Sequence, residues 1–281
     1  MTQFVSAAVP IPAIGRELVI DGNSKISGWE NPTPNALSLP APATCPGSTA
    51  TCRATCYAST ARTSIPDALR DHYESNLETI RSILAQPDAG FVAAVQLSRW
   101  IAEHCKNVGF RWHVSGDVFS EQYAWWVVGV ALVSPDVQHW IYTRTLNAVP
   151  ILINAPNLEV NVSADVDNYG AALAVADRHG ARLCYLATPG PGIVPPDDAL
   201  RDDNVIFPDY ALRGRDRAKP TEAPWWAMLS PRQRRMVCPA DFFGQSARCR
   251  CGVCTKCGPP RHLGEDFVPA EDDPTRPPEQ G

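Results

Sequence analysis

The residues best suited to chemistry are cysteines, and they fall into two separated groups. Cys45, Cys52 and Cys56 are spaced C-x6-C-x3-C, while Cys238-Pro239 is followed twelve residues later by Cys251-x2-Cys254-x2-Cys257, with Cys249 alongside. Three thiolates on a loop flanked by Pro46 and Gly47 are one short of the four corners of a cubane. A [4Fe-4S] cluster held there would keep one iron open to a substrate, a cofactor or a distant ligand. Structural zinc closes on four protein ligands and catalytic zinc seldom uses three thiolates, so zinc suits this group less well.

The second group repeats the bacterial ferredoxin pattern, in which a remote Cys-Pro completes a CxxCxxC run. Cys238 is the expected remote partner of Cys251, Cys254 and Cys257, giving one cluster or two in the whole chain. Zinc ribbons also use C-x2-C, but as two separated knuckles, and zinc as a mere staple stands as the alternative here. Cys249 is a replacement ligand or a bystander. Cys105 closes an amphipathic helix and Cys184 lies in an apolar strand, so both read as core.

Ten cysteines in 281 residues are too dilute for a disulfide scaffold, and Met1–Arg16 lacks the basic start and apolar run of a secretory signal. The expectation is a reduced protein of the cytoplasm. No run of about 18 apolar residues offers a membrane span, so no membrane partner is expected. Neither G-x-S-x-G nor G-x-x-x-x-G-K-[ST] occurs, which removes the usual machinery of nucleophilic and nucleotide hydrolysis.

The net charge of −5 hides an asymmetry: from Arg213 to Arg261 eleven Lys/Arg stand against Asp216, Glu222 and Asp241. This basic stretch, 213–261, encloses the second cysteine group. It either contacts nucleic acid or offsets the negative charge of a thiolate-ligated cluster.

The elements that position these groups follow from periodicity. Residues 1–44, rich in Pro, Ser, Asn and Gly, read as an extended lead-in. Leu69, Tyr73, Leu77, Ile80 and Leu84 recur at three and four residues, one face of a helix begun by Pro66. Phe91–His104 is a second helix. Phe110–Val114 then reads as strand, with Ser115-Gly116-Asp117 as its turn, and Gln122–Val133 as helix. Val137–Thr143, Leu158–Ser163, Arg182–Ala187 and Val205–Phe207 follow as strands, with Tyr169–His179 helical between the third and fourth of the five.

Strands alternating with helices imply an α/β fold with a parallel sheet, and about five strands suit a partial or irregular (β/α) barrel with a Cys-rich C-terminal extension. The expected divisions are 1–44, the barrel with the first triad at 45–212, the basic cluster-binding segment at 213–263, and an acidic, proline-rich disordered tail at 264–281. Three strands end in polar residues: Ser115 and Asp117, Thr143 and Arg144, Ser163 and Asp165. Each end could cap the following helix; together, after a cysteine triad, they outline a pocket. His113 on its strand reads as a satisfied half-buried histidine.

The pieces Ser38-Leu39-Pro40, Thr44-Cys45-Pro46-Gly47, Cys52, Cys56-Tyr57-Ala58, His113 to Asp117, Tyr142-Thr143-Arg144, Val162 to Asp165 and the terminal cysteines resemble the "gene product eighty-eight" family of actinobacterial phages and their hosts. That resemblance runs from about residue 23 to 258 and implies a phage-type protein in a host cytoplasm, without naming a reaction.

More distantly, the order of parts resembles radical S-adenosylmethionine enzymes, although their usual loop is C-x3-C-x2-C. This similarity implies that Cys45, Cys52 and Cys56 hold a cluster whose open iron chelates S-adenosylmethionine, and that one-electron reduction releases a deoxyadenosyl radical. It also implies that Ser115, Gly116 and Asp117 bind the cofactor's amino group, with Ser163 and Asp165 on its ribose or carboxylate. An electron donor would then be a partner. The competing expectations are a non-catalytic iron–sulfur protein for redox sensing or nucleic-acid binding, and a metal-stapled interaction protein.

Overall fold

Alternating apolar residues at the N-terminus form a hairpin rather than a lead-in. Strand β1 (Phe4–Ile11) pairs antiparallel with β2 (Arg16–Asn23). Val9, Ile11, Leu18 and Ile20 point to the buried side, as the period of two requires. The computed structural model describes residues 4–23, 32–56, 58, 66–195, 200–209 and 224–238. Cys249, Cys251, Cys254 and Cys257, most of the basic stretch and the acidic tail lie outside the described residues.

β2 pairs antiparallel with the short β3 (Ala36–Leu37), and from there every pairing is parallel. In order come β4 (Phe110–Trp112), β5 (His139–Thr143), β6 (Leu158–Ala164), β7 (Arg182–Ala187) and β8 (Val205–Pro208). The eight strands lie side by side in sequence order, so each crossover steps to the next neighbour in one direction. Right-handed crossovers wound one way place their helices on a single face.

That face carries α2 (Asp67–Leu84), α3 (Pro87–His104), α4 (Glu121–Val133), α5 (Val149–Leu152) and α6 (Tyr169–His179), each packed on its neighbour. Leu69, Tyr73, Leu77 and Ile80 of α2 are buried as their spacing predicts. Asn76 on the same face donates to the carbonyls of Val19 and Ser38 and accepts from the Val19 N–H, pinning the helix to the hairpin and to the segment after β3. The core beneath this layer is built on Phe110, Trp112, Tyr123 and Ile141, all fully buried.

The architecture is thus mixed α/β around an eight-stranded mixed sheet, with β1 and β8 at its edges. Five of the strands match the expected positions. β1, β2 and β3 were hidden in the stretch read as a lead-in, where Pro and Gly content outweighed a short alternation. On the face away from the helices, register aligns Arg111, Trp140 and Glu159 in one row and Tyr142, Asn161 and Arg182 in the next. This face mixes charged and polar groups with Trp140, Tyr142 and Phe207, where the other is mainly apolar.

Candidate metal centre at the carboxyl edge of the sheet

Cys45 comes eight residues after Leu37, the end of β3, so the first cysteine group lies on the segment that leaves the carboxyl end of the first parallel strand. The segment between is held by its neighbour: the Leu39 N–H donates to the Ser115 carbonyl at 2.9 Å and the Val114 N–H to the Ser38 hydroxyl at 3.2 Å. Gly116 has φ +83, and a Cβ there would lie 2.6 Å from both the Leu39 Cβ and the Thr44 Oγ1. Only glycine tolerates both the left-handed backbone and that approach. The Ser-Gly-Asp turn therefore presses the cysteine loop into place. Gly47 is needed likewise, since a Cβ would fall 2.1 Å from the Arg144 carbonyl oxygen.

Helix α1 (Ala50–Thr55) carries Cys52, with Thr49 as its N-cap and Cys56 just past its end. The Cys52 N–H donates to the Thr49 hydroxyl at 2.9 Å, and that hydroxyl donates to Asp165 Oδ2 at 2.6 Å. Arg144 reaches the same Asp165 oxygen at 2.7 Å in an ion pair with Asp165 fully buried. The Thr51 N–H donates to Asp167, which pulls that carboxylate below its usual range. Thus the ends of β5 and β6 grip the helix that presents Cys52.

Asp117 is not a helix cap; Ser120 caps α4. Its carboxylate accepts the N–H groups of Val118 at 2.7 Å and Arg144 at 2.8 Å. Thr143 adds a side-chain hydrogen bond, yet burial outweighs these donors and raises the Asp117 pKa. Ser115 is buried with its hydroxyl unpartnered. Asp165 accepts the Asp167 N–H besides its other partners. Ser163 lies on the polar face beside Cys184 of β7, and its carbonyl accepts from Asn168.

The three thiols are half-buried and close enough to act on one another. Burial, then Asp117, then the other two thiols push Cys45 up to about 12. Burial also raises Cys52, while Arg144 draws it down. Deprotonated together the three would repel one another, a repulsion that a shared cationic core would relieve, and thiolates are the donor type that iron–sulfur groups take. Among the described residues no three His, Cys, Asp or Glu side chains are gathered as a single metal ion would need. A half-open cleft of about 480 Å³ adjoins the loop, lined by Gly47, Phe119, Glu121, Arg144, Thr145 and Asn168 among others.

Cys238 lies against β8, its N–H donating to the Ile206 carbonyl at 2.8 Å. It packs with Cys184 and Val205 under Tyr142 and Phe207. His113 is fully buried; its Nε2 meets the Tyr123 hydroxyl at 2.8 Å, and burial followed by Arg111 lowers its pKa to about 3. It is a neutral core group. Arg144 was visible in the sequence only as a polar strand end, and nothing in the sequence marked Thr49 or Asp167, whose partners are over a hundred residues away.

The fold and site define a mixed α/β protein with a three-thiol loop at the carboxyl edge of a parallel sheet. The family model described as Gene product 88 matches residues 16–260, and the chain belongs to that family. It is 32% identical over 166 residues to the "Gene 88 protein" of Mycobacterium phage L5, covering 55% of this chain and 66% of that relative, just under two thirds of its length. A phage origin fits this likeness. No solved structure matches the chain. Among the described residues no helix is long and apolar enough to cross a membrane.

Proposed function

We propose that this protein binds iron–sulfur, with Cys45, Cys52 and Cys56 holding a [4Fe-4S] cluster that keeps one iron open. Cys238, Cys251, Cys254 and Cys257 would hold an auxiliary cluster. The observation that carries the reading is the placement of three half-buried thiols on a clamped loop after the first parallel strand. In parallel α/β sheets this edge collects binding sites. One-way winding of β3 to β8 supports a partial barrel, and with it the distant likeness to radical S-adenosylmethionine enzymes.

When bound, such a cluster supplies one-electron chemistry and a Lewis-acidic iron. The chain's own residues would do the positioning. Arg144 lines the cleft and faces Cys52, lowering the tendency of that thiol to hold its proton. Gly116 keeps the loop seated, and Asp117 holds the Arg144 backbone. Ser115, with its buried free hydroxyl, and Ser163 and Asp165 would serve S-adenosylmethionine if it binds; Asp165 is already engaged by Arg144 and Thr49, which leaves it a positioning role. The reducing host cytoplasm is the proposed setting.

The test is low-temperature electron paramagnetic resonance on anaerobically purified, dithionite-reduced protein, with and without S-adenosylmethionine. A four-iron signal that shifts with the cofactor supports an open iron; no iron signal overturns the proposal. A signal indifferent to the cofactor favours the second reading, a closed redox module whose basic stretch 213–261 contacts phosphates. Cys52→Ala is expected to lose about half the iron and Cys254→Ala the other half. Complete loss from either would mean one shared site.

A further inference from the structure

The outer surface of α3 and α4 carries the largest apolar side chains that the described fold leaves exposed. Phe91 is 71% exposed, Trp125 54%, Leu132 50%, Val133 45% and Val92 40%. Half-buried Val95 lies between them on α3. These residues form one surface because the two helices run side by side in the same direction: Trp126 Nε1 donates to the Gly90 carbonyl at 3.1 Å, and a turn or two further on the Ser98 hydroxyl donates to the Val130 carbonyl at 2.8 Å. Phe91 is therefore level with Trp125, and Arg99 with Leu132 and Val133. After Glu121, α4 has no charged residue. An outer helix that is apolar all round has an unburied face to satisfy.

Charge at the two ends of this patch says what covers it. Asp88, Val92, Val95 and Arg99 are spaced four, three and four, a single stripe on α3 with an acid before the valines and a base after them, and Glu103 one turn beyond. Asp88 and Arg99 make no ion pair with any described residue and are both exposed. They lie about 16 Å apart along the helix. A two-fold axis through the valines would turn a second copy end for end, setting Asp88 of each copy against Arg99 of the other and Trp125 against the partner's apolar surface. Such self-complementarity is the condition for an isologous contact.

We propose that the α3–α4 face is a two-fold interface between copies of this chain. Sedimentation velocity of the full chain over a range of concentrations tests it, with circular dichroism confirming that each variant is folded. The wild type is expected to form dimers. Trp125→Glu should weaken the dimer by about a hundredfold or more, as loss of a central aromatic anchor does. Asp88→Arg and Arg99→Asp should each weaken it by about tenfold, since each sets like charges opposed twice over. The double reversal should return it to near the wild-type value, a rescue that a general loss of folding or solubility would not give.

A wild type that stays monomeric at the highest concentration reached overturns the proposal, and a monomer that cosediments with phosphatidylcholine vesicles assigns the face to lipid instead. A dimer that Trp125→Glu leaves intact lies elsewhere. Failure of the double reversal to recover overturns the antiparallel pairing. None of these outcomes depends on cluster content, because the face lies on the outside of the helical layer.

Discussion

Two regions of the molecule bury carboxylates and satisfy them to different degrees. At the carboxyl edge Asp165 is fully buried but meets Arg144, the Thr49 hydroxyl and the Asp167 N–H. Asp117 there accepts two backbone N–H groups and a threonine hydroxyl. In the hairpin, Asp21 of β2 has one oxygen 3.2 Å from His72 Nδ1 of α2 and the other buried without a partner. Burial wins over that single contact and raises Asp21 to about 6. A loop that must keep three thiols in place is gripped by carboxylates with several partners each, whereas the hairpin holds a carboxyl with one oxygen unpartnered.

The sharpest way to break this comparison is Arg144→Met. It strips the cation from a buried carboxylate and should destabilise the fold by about 3–5 kcal/mol, read from urea denaturation midpoints. A loss under about 1 kcal/mol would show that Thr49 and the backbone suffice, and that the edge differs little from the hairpin.

Asp21 is expected to act next most strongly, and through pH. Its folded pKa of about 6 lies above the ordinary 3.8, so the folded state holds the proton more firmly than the unfolded chain. The resulting stability is complete below about pH 3.8 and is lost as pH rises through about 6, by about 3 kcal/mol at most. The difference in stability between Asp21→Asn and the wild type should therefore grow in favour of the variant from pH 4 to pH 7. A pH-independent difference would mean that His72 compensates the charge. His72→Gln, which removes the lowering partner, should steepen the wild-type slope.

Gly116→Ala is expected to cost about 2 kcal/mol or more, because it combines a positive φ with a close approach to Leu39 and Thr44. Gly180→Ala provides the control: φ is +64 but space is open, so about 1 kcal/mol is expected from backbone strain alone. Equal thermal shifts for the two would show that the Ser-Gly-Asp turn does not seat the cysteine loop. Smallest is Thr49→Ala, at about 1 kcal/mol for a lost helix cap. Its sharper readout is iron retention, since Thr49 links Cys52 to Asp165.

Local chemistry made some of this legible in advance. Helices α2, α3, α4 and α6 and strands β4 to β8 declare themselves by period, within a residue or a few at their ends, because a buried face needs apolar groups at three or four residues in a helix and at two in a strand. The polar strand ends at Asp117, Arg144 and Asp165 were visible for the same reason: a residue at the carboxyl edge leaves the core.

The hairpin was not legible. Its two strands, eight residues each, are partly exposed and β1 contains Pro10, and their alternation means nothing until β2 finds β3 and α2 covers the result. Residue types and their local spacing settle which side chains carry soft donors, which faces must be buried and where the chain turns from helix to strand. Only the tertiary structure decided that Thr49 and Asp165, 116 residues apart, would share a hydrogen bond, and that Arg144 would serve both a buried carboxylate and a thiol. Periodicity is a property of neighbours within a few residues. Partnership between charges is set by the stacking of strands, which no local pattern records.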